Sequence, residues 1–517
     1  MNLLAAYIIT FIASFCILVI EIVAGRILAP FVGVSLYTWT SIIGIVLAGI
    51  SVGAYVGGRI ADRFPGSKTL AMLLIISGMT TLLIPPTANI VAAMQIEVSL
   101  MLRIFIVTTI IFIIPSCLLG MISPVVVKLA IKNLEKIGNV VGKIYAFSTL
   151  GSILGTFAAG FFFISFMGAR SVILLMGVIL ILTGFLVGVL GRSGKMHVAF
   201  FIIPSFLLFG VYSFAVKVPI TKDIYHYTES DYYTIKLKKA VGSDGVTQLD
   251  ALVLDNLTHS FVNLQNPLHI EYKYERIYTD VLRWKFSKEQ PFKTLTIGGG
   301  GYTFPRYLEV YYPNALVDVV EIDPAVTKVT YKFLGLPKDT RIRSYNTDGR
   351  WFIMNSKEKY DVVFLDAYND LSVPYHLATK EFAQQVKDIM EPGGIVLTNI
   401  IDNFQHGLFL PSYMKTIREV FGDENVFLLS ISPDFEDIGI STFIVLAGKE
   451  KLDINDFDNF VKNVRQSEAT AAVVPEQMIR EFINNRESVL LTDNYAPIDN
   501  LVAPVFEERF GFNRSNR

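Results

Sequence analysis

The stretch TLTIGGGGYTFPRYLEVYYPNALVDVVEID, residues 294–323, decides how the second half of this chain folds. Leu295 to Ile297 reads as a strand, Gly298, Gly299, Gly300 and Gly301 as a tight turn, and FPRYLEVYYP as the start of a helix. Backbone without Cβ atoms at a first strand-to-helix corner can approach a ligand closely. The turn is not the dinucleotide fingerprint, because Thr303 stands where GxGxxG places its third glycine. The next apolar run ends on Glu321 and Asp323, 20 and 22 residues beyond Gly301. A carboxylate there can accept hydrogen bonds from both ribose hydroxyls. The turn and the acids together point to a nucleoside site.

Two further elements follow. NTDGR (346–350) places Asp348 and Gly349 after a third strand, where a carboxylate can accept from an adenine amino group. YDVVFLDAYND (360–370) ends a fourth strand on Asp366, with Asn369 and Asp370 in the loop beyond. Ligands of open α/β sheets bind at that carboxyl edge, so Asp366 reads as catalytic in preference to a helix cap. The short β-branched runs alternate with helix-length stretches, which predicts a doubly wound parallel sheet over 290–447. Residues 229–265 read as a small antiparallel β unit turning at GSDG (242–245), followed by a connecting helix to 289. His259 and His376 read as loop or packing residues, and no metal site is expected.

The first half has a different texture. Of 517 residues 52% are hydrophobic and 18% charged, against roughly 25% charged in soluble domains. Apolar runs at about 3–24, 37–58, 69–92, 102–130, 144–166, 171–191 and 197–216 predict about seven membrane-spanning helices. The predicted domains are therefore a membrane half, 1–216, a linker, 217–228, the β unit with its helix, 229–289, and an α/β domain, 290–517. Cys16 and Cys117 both lie in apolar runs and form no metal motif. A net charge of −1 gives no ground for a nucleic-acid partner. Glu21 and Arg26 read either as a functional pair or as an interfacial one. Tyr37 and Trp39 suit a headgroup belt, and Asp62 with Arg63 in GGRIADR suits a lock between helices. Basic residues fall in alternate loops, putting the N-terminus inside and, after seven spans, the C-terminal domain outside. A cytosolic nucleoside substrate requires the opposite, so either one span is split or re-entrant, with the Pro115–Pro124 region the leading candidate, or the charge rule fails here.

The ordered set ESDYYTIKL, LVLDN, YKYERIYTDVL, IGGGG, VEID, TDGR, YDVVFLDAYND and PGGIVLTN resembles the aminopropyltransferase family, whose best-known member is spermidine synthase. The first half, with EIVAGRILAPFVGVSLYTW and GGRIADR, and the later LTDNYAPIDNL look like its membrane-fused branch. The resemblance implies a Rossmann-like, methyltransferase-type α/β domain behind an all-α polytopic membrane domain. It also implies decarboxylated S-adenosylmethionine as co-substrate, a polyamine acceptor and no permanently bound cofactor. Glu321 would hold ribose, Asp348 would meet adenine, and Asp366 would act as base on the attacking amine. Tyr274 and Glu275 match the family's substrate helix loosely. The lipid bilayer would be a partner, the catalytic domain cytoplasmic, and association with further copies is left open.

The pattern departs from the family at three places. Gly301 stands where soluble spermidine synthases carry the acid of GGGDG, facing the aminopropyl ammonium. Without that acid, intact S-adenosylmethionine becomes a second candidate substrate, for transfer or for self-cleavage to a lactone-type product. The DxxDP loop is altered to Asp366, Asn369 and Asp370 without the proline, and no counterpart of a Tyr-Pro-Ser-Gly segment occurs near ISPDFEDIG. The same architecture also suits methyl transfer, since fold does not fix which sulfonium carbon is attacked. A transporter or sensor that binds nucleoside or polyamine without turnover is the non-enzymatic reading of the same residues.

Overall fold

The computed structural model describes residues 1–33, 35–94, 98, 100–131, 137–190, 223–367, 373–435, 439–464 and 470–509. The chain divides into two compact units, Met1–Thr221 with Glu229–Asp231, and Lys222–Thr228 with Tyr232–Arg517.

Helices α1 (Leu3–Val32), α2 (Leu36–Arg63), α3 (Ser67–Leu82), α4 (Ile84–Ala93), α5 (Leu100–Ala130), α6 (Ile137–Ala158), α7 (Ile164–Met167) and α8 (Ala169–Leu190) make up the described part of the first unit. Among the described residues five stretches are long and apolar enough to cross a membrane, or six if the bent pair α3 and α4 counts as one. These coincide with the first six runs read from the sequence, and the seventh, 197–216, lies outside the described residues. Side chains such as Leu47, Phe105 and Phe166 face outward from these helices.

The break falls elsewhere than expected. Helix α5 runs unbroken through Pro115 and Pro124, whereas α3 and α4 meet at a bend of 40°. Pro85 and Pro86 sit in the first turn of α4. Consecutive prolines lack two N–H donors, so the hydrogen-bond ladder of α3 cannot continue through them and α3 ends at Leu82. Small residues set the helix spacing. A Cβ at Gly53 of α2 would run into the Cys117 carbonyl oxygen of α5, and one at Gly151 of α6 into the Phe11 carbonyl of α1. Asp62 pairs with Lys128 of α5 at 2.7 Å, so the lock from GGRIADR joins α2 to α5 through Asp62. Both partners are half-exposed or more, and such a pair is worth at most about 1 kcal/mol.

The second unit opens with β1 (Ile224–Glu229), β2 (Thr234–Val241), β3 (Gln248–Leu254) and β4 (Leu257–Val262), a four-stranded sheet in that order. Strand β1 thus occupies residues that the sequence suggested were linker. It extends the sheet that β2 and β3 begin, with the Lys239 N–H donating to the Asp223 carbonyl at 3.0 Å. The GSDG turn closes β2 onto β3, with Gly245 at φ +72. Ile235, Leu237, Leu252, Leu254 and Val262 bury one face of this sheet against Val326 and Val329.

Helix α9 (Lys273–Lys285) leads into β5 (Lys293–Ile297), α10 (Thr303–Tyr311), β6 (Leu316–Val320), α11 (Pro324–Phe333), β7 (Arg343–Tyr345), α12 (Gly349–Asn355) and β8 (Tyr360–Leu365). Then come α13 (Lys380–Asp388), β9 (Met390–Asn403), α14 (Phe409–Phe421), β10 (Val426–Ser430), β11 (Ile440–Gly448), α15 (Ile454–Val464), β12 (Ala472–Val473), α16 (Glu476–Asn484) and α17 (Ile498–Arg509). The sheet order is β12-β10-β11-β9-β8-β5-β6-β7. Strands β9, β8, β5, β6 and β7 are parallel, as read from the sequence, while β11, β10 and β12 add an antiparallel edge. The chain steps outward from β5 to β7 and then returns to β8 on the other side of β5, pairing Ile297 with Leu365. Their carboxyl ends form the switch point at which open α/β sheets bind ligands.

Gly53→Leu should lower the thermal unfolding temperature of the detergent-solubilised chain, since overpacking a close contact costs roughly 1–3 kcal/mol or more. Gly58→Leu, with nothing within 4 Å of its Cβ position, is the control. Equal melting temperatures for the two variants would contradict the packing described for α2 and α5.

Candidate active site

A cavity of about 320 Å³ opens at this switch point. Gly298, Gly299, Gly300, Glu321, Asp348, Gly349, Tyr274, Glu275 and Asp366 all line it. Residues separated by nearly a hundred positions in the sequence are thus brought together by the ends of β5, β6, β7 and β8 and the first turn of α9.

The glycine loop is shaped by its contacts. Gly298 has φ +99, and a Cβ there would strike the Asp366 carbonyl oxygen, so only glycine fits between β5 and β8. The N–H groups of Gly299 and Gly300 donate to Glu321 Oε2 at 2.8 and 3.3 Å, and the Asp323 N–H donates to Oε1 at 2.9 Å. Burial pushes the Glu321 carboxyl above its ordinary range, and these three N–H groups offset that push only in part. The loop's donors therefore serve a protein carboxylate.

Two of the residues selected from the sequence stand off the cavity wall. Asp323 is buried and caps α11, its Oδ1 accepting from the Ala325 N–H at 2.8 Å. Gly301 donates its N–H to Ser260 Oγ at 2.8 Å, and a Cβ there would lie 2.8 Å from the Ser260 Cβ. Asn369 and Asp370 lie outside the described residues.

Asp348 caps α12 through the Trp351 N–H (2.9 Å) and takes His376 Nε2 at 2.8 Å on its other oxygen. Burial alone would raise its pKa, but these two donors and the charge of His376 bring it below the ordinary value. Arg350, two residues on, makes a bidentate pair with Asp493 at 2.7 and 2.6 Å and donates to the His376 carbonyl. The LTDNYAPIDNL segment thus braces this wall of the cavity.

Asp366 is held from two sides. Asn399 Nδ2 donates to Oδ1 at 2.6 Å and the Tyr274 hydroxyl to Oδ2 at 3.1 Å. Burial raises its pKa against those two hydrogen bonds. Burial, reinforced by the Asp366 charge, pushes Glu275 well above the ordinary carboxylate range. Shifted titratable groups cluster at functional sites, and this cavity holds two acids that burial pushes upward.

Several lining residues escaped the sequence reading. Asn399 stands at the end of PGGIVLTN, one position beyond Thr398, which pairs with Leu365. It lies level with the end of β8 but inside β9, which runs on to Asn403, so a strand-end rule would have passed over it. His259 and His376, read as packing residues, both line the cavity, as do Tyr272 and Arg509. Tyr272 opens the YKYERIYTDVL motif, but no local motif marks the other three, because β4, α17 and the loop before α13 reach the cavity only through tertiary packing.

A largely parallel α/β sheet with an acid-lined cavity at its switch point is a Rossmann-like, methyltransferase-type fold. Residues 277–457 match the family described as the spermine/spermidine synthase domain. A probable polyamine aminopropyl transferase from Bifidobacterium longum is 35% identical over 133 residues, 25% of this chain and 29% of the relative. A polyamine aminopropyltransferase from Vibrio vulnificus is 30% identical over 156 residues, 29% of this chain and 51% of the relative. The chain spans about half or less of the length of these curated relatives. The crystal structure of a probable spermidine synthase from Corynebacterium glutamicum aligns with a TM-score of 0.44 at 20% identity, covering 52% of this chain and 96% of that one. The matched stretch lies wholly within the second unit of this chain.

Glu275 supplies a pH test. Its folded pKa is raised, so as pH climbs from ~4.3 the unfolded chain releases a proton that the folded chain keeps, and stability falls toward the folded value. Glu275→Gln, which mimics the protonated acid, should melt increasingly above the parent as pH goes from about 4.5 to 8. A constant gap across that range would show that Glu275 ionises normally.

Proposed function

We propose that the second unit transfers an aminopropyl group from decarboxylated S-adenosylmethionine to a diamine, releasing methylthioadenosine. The observation that carries this reading is the placement of Asp366, buried at the end of β8 with its two oxygens fixed by Asn399 and Tyr274. The acceptor amine attacks the carbon next to the sulfonium. A C–N bond forms, the C–S bond breaks with its electron pair going to sulfur, and the nitrogen's surplus proton passes to Asp366. A carboxylate with a pKa raised by burial suits that proton transfer. Glu321 Oε1 accepts the Asp323 N–H and keeps capacity for a ribose hydroxyl, while Asp348 and His376 stand at the adenine end. The names of the relatives, polyamine aminopropyltransferases, support the reaction class.

Intact S-adenosylmethionine is the second reading, favoured by the Gly301 contact with Ser260, which leaves no room for an acid facing an ammonium. We further propose that the first unit is a multi-pass membrane domain and that the second works on the cytoplasmic side, where sulfonium nucleosides are made. Six spans counted from an N-terminus inside return the chain to that side by residue 190, and it stays there provided the apolar run 197–216 does not cross again.

Incubation of the full chain with either sulfonium nucleoside, with and without putrescine, tests the reaction by methylthioadenosine release. No release in any tube would leave a binding protein. Asp366→Asn should lower turnover by ~10²–10⁴, the range for a positioned base, while nucleoside affinity stays within a few-fold of the parent. Unchanged turnover removes Asp366 from the chemistry. Glu321→Gln should weaken methylthioadenosine binding by roughly ten- to a hundredfold, through lost charge-assisted hydrogen bonds and a loosened loop. An affinity within twofold of the parent would show that ribose is held elsewhere.

A further inference from the structure

Beside the four acids Asp366, Glu275, Glu321 and Asp348, the cavity is lined by Tyr233, His259, Tyr272 and Arg509, and the Arg509 charge acts on both His259 and Tyr272. His259 lies on β4 with Nδ1 2.9 Å from the Leu257 carbonyl oxygen. A carbonyl only accepts, so Nδ1 carries the hydrogen and Nε2 of the neutral ring is an acceptor. Burial, with the nearby Arg509 charge, pushes the ring's pKa down to about 4, which keeps it neutral. Nε2 is buried and meets no hydrogen-bond partner among the described residues. A buried acceptor left open in a cavity wall calls for a donor from a ligand.

Arg509 supplies the complement. The neighbouring Glu508 is engaged by Asn403 Nδ2 at 2.9 Å and by His406 at 3.1 Å, which ties down the last turn of α17. Arg509 itself lines the cavity without a hydrogen bond or ion pair to any described residue. A guanidinium presents paired donors that fit a carboxylate. A purely cationic aminopropyl or polyamine end would meet repulsion there, and at Gly301 it would find a serine in place of an acid.

We propose that His259 and Arg509 form a subsite for an α-amino-acid end, with Arg509 holding the carboxylate and His259 Nε2 accepting from the ammonium. This rests on the nucleoside reading of the same cavity. It makes the substrate class one that carries a carboxylate, whether on the sulfonium nucleoside itself or on the acceptor amine.

The test uses the full chain in detergent. Binding of methylthioadenosine, S-adenosylmethionine and its decarboxylated form is titrated for the parent, Arg509→Gln and Arg509→Lys. Turnover is followed with putrescine and with ornithine, which is putrescine bearing a carboxylate. If the donor carries the carboxylate, the parent binds S-adenosylmethionine roughly tenfold or more tightly than the decarboxylated form, Arg509→Gln erases the difference, and Arg509→Lys, lacking the fork, keeps part of it. If the acceptor carries it, Arg509→Gln raises KM for ornithine by a similar factor and leaves KM for putrescine alone. In both cases methylthioadenosine, which has no amino-acid end, binds the variants as it binds the parent. Parent-like discrimination in both variants overturns the subsite, and so does a parent that discriminates in neither arm. Loss of methylthioadenosine binding in Arg509→Gln would assign the arginine to the nucleoside site as a whole and also overturns it. A parent that fails to bind methylthioadenosine removes the nucleoside reading, and the subsite falls with it. Binding of methylthioadenosine without any arginine effect removes the subsite alone.

Discussion

Three backbone N–H groups converge on one buried carboxylate, Glu321, and the geometry of the cavity depends on that convergence. An unpaired buried anion is expensive, so the corner after β6 and the loop after β5 cannot move apart without exposing a large desolvation cost. Gly298 in turn touches the Asp366 backbone, and Asp366 N donates to the Ile297 carbonyl at 2.9 Å. Fixing the loop therefore fixes the gap in which β8 delivers its aspartate. Tyr302, left-handed at φ 56 and fully buried, completes the corner by anchoring the start of α10.

Within this frame similar side chains are set to opposite tasks. Asp348 sits where a backbone N–H and His376 outweigh its partial burial, and it stays an acceptor. Glu275 and Asp366 sit where burial outweighs everything donated to them, and they retain protons longer. Pairs of carboxyls whose surroundings push them in opposite directions are how one cavity can hold a ligand's polar groups and also move a proton.

What could be read from the sequence was whatever depends on local order along the chain. The glycine turn, the strand-end acids Glu321 and Asp366, and the Asp348 cap all follow from strand-to-helix corners, and each corner falls where the period and the turn residues put it. The antiparallel edge of β11, β10 and β12 did not, since strand direction is set by which edge the chain reaches and not by the strand's own residues. Asp323 and Gly301 looked like binding residues because they share a corner with true lining residues. One caps a helix and the other packs on Ser260, distinctions that need coordinates. The bend at Leu83 was visible as Pro85–Pro86 but lost to the Pro115–Pro124 region, because counting prolines says nothing of their being adjacent. His259 and Arg509 had no signal at all: a lone histidine and a lone arginine acquire meaning only from what faces them.

The brace between Asp493 and Arg350 joins residues 143 positions apart in the chain. During synthesis, strands β5 to β8 leave the ribosome well before Asp493 does, and chains fold from the N-terminal side as they emerge. The wall around Asp348 therefore cannot settle until the segment around Asp493 arrives, and Arg509 waits for α17 still longer. The cavity is thus completed only after the strands that frame it have long been made.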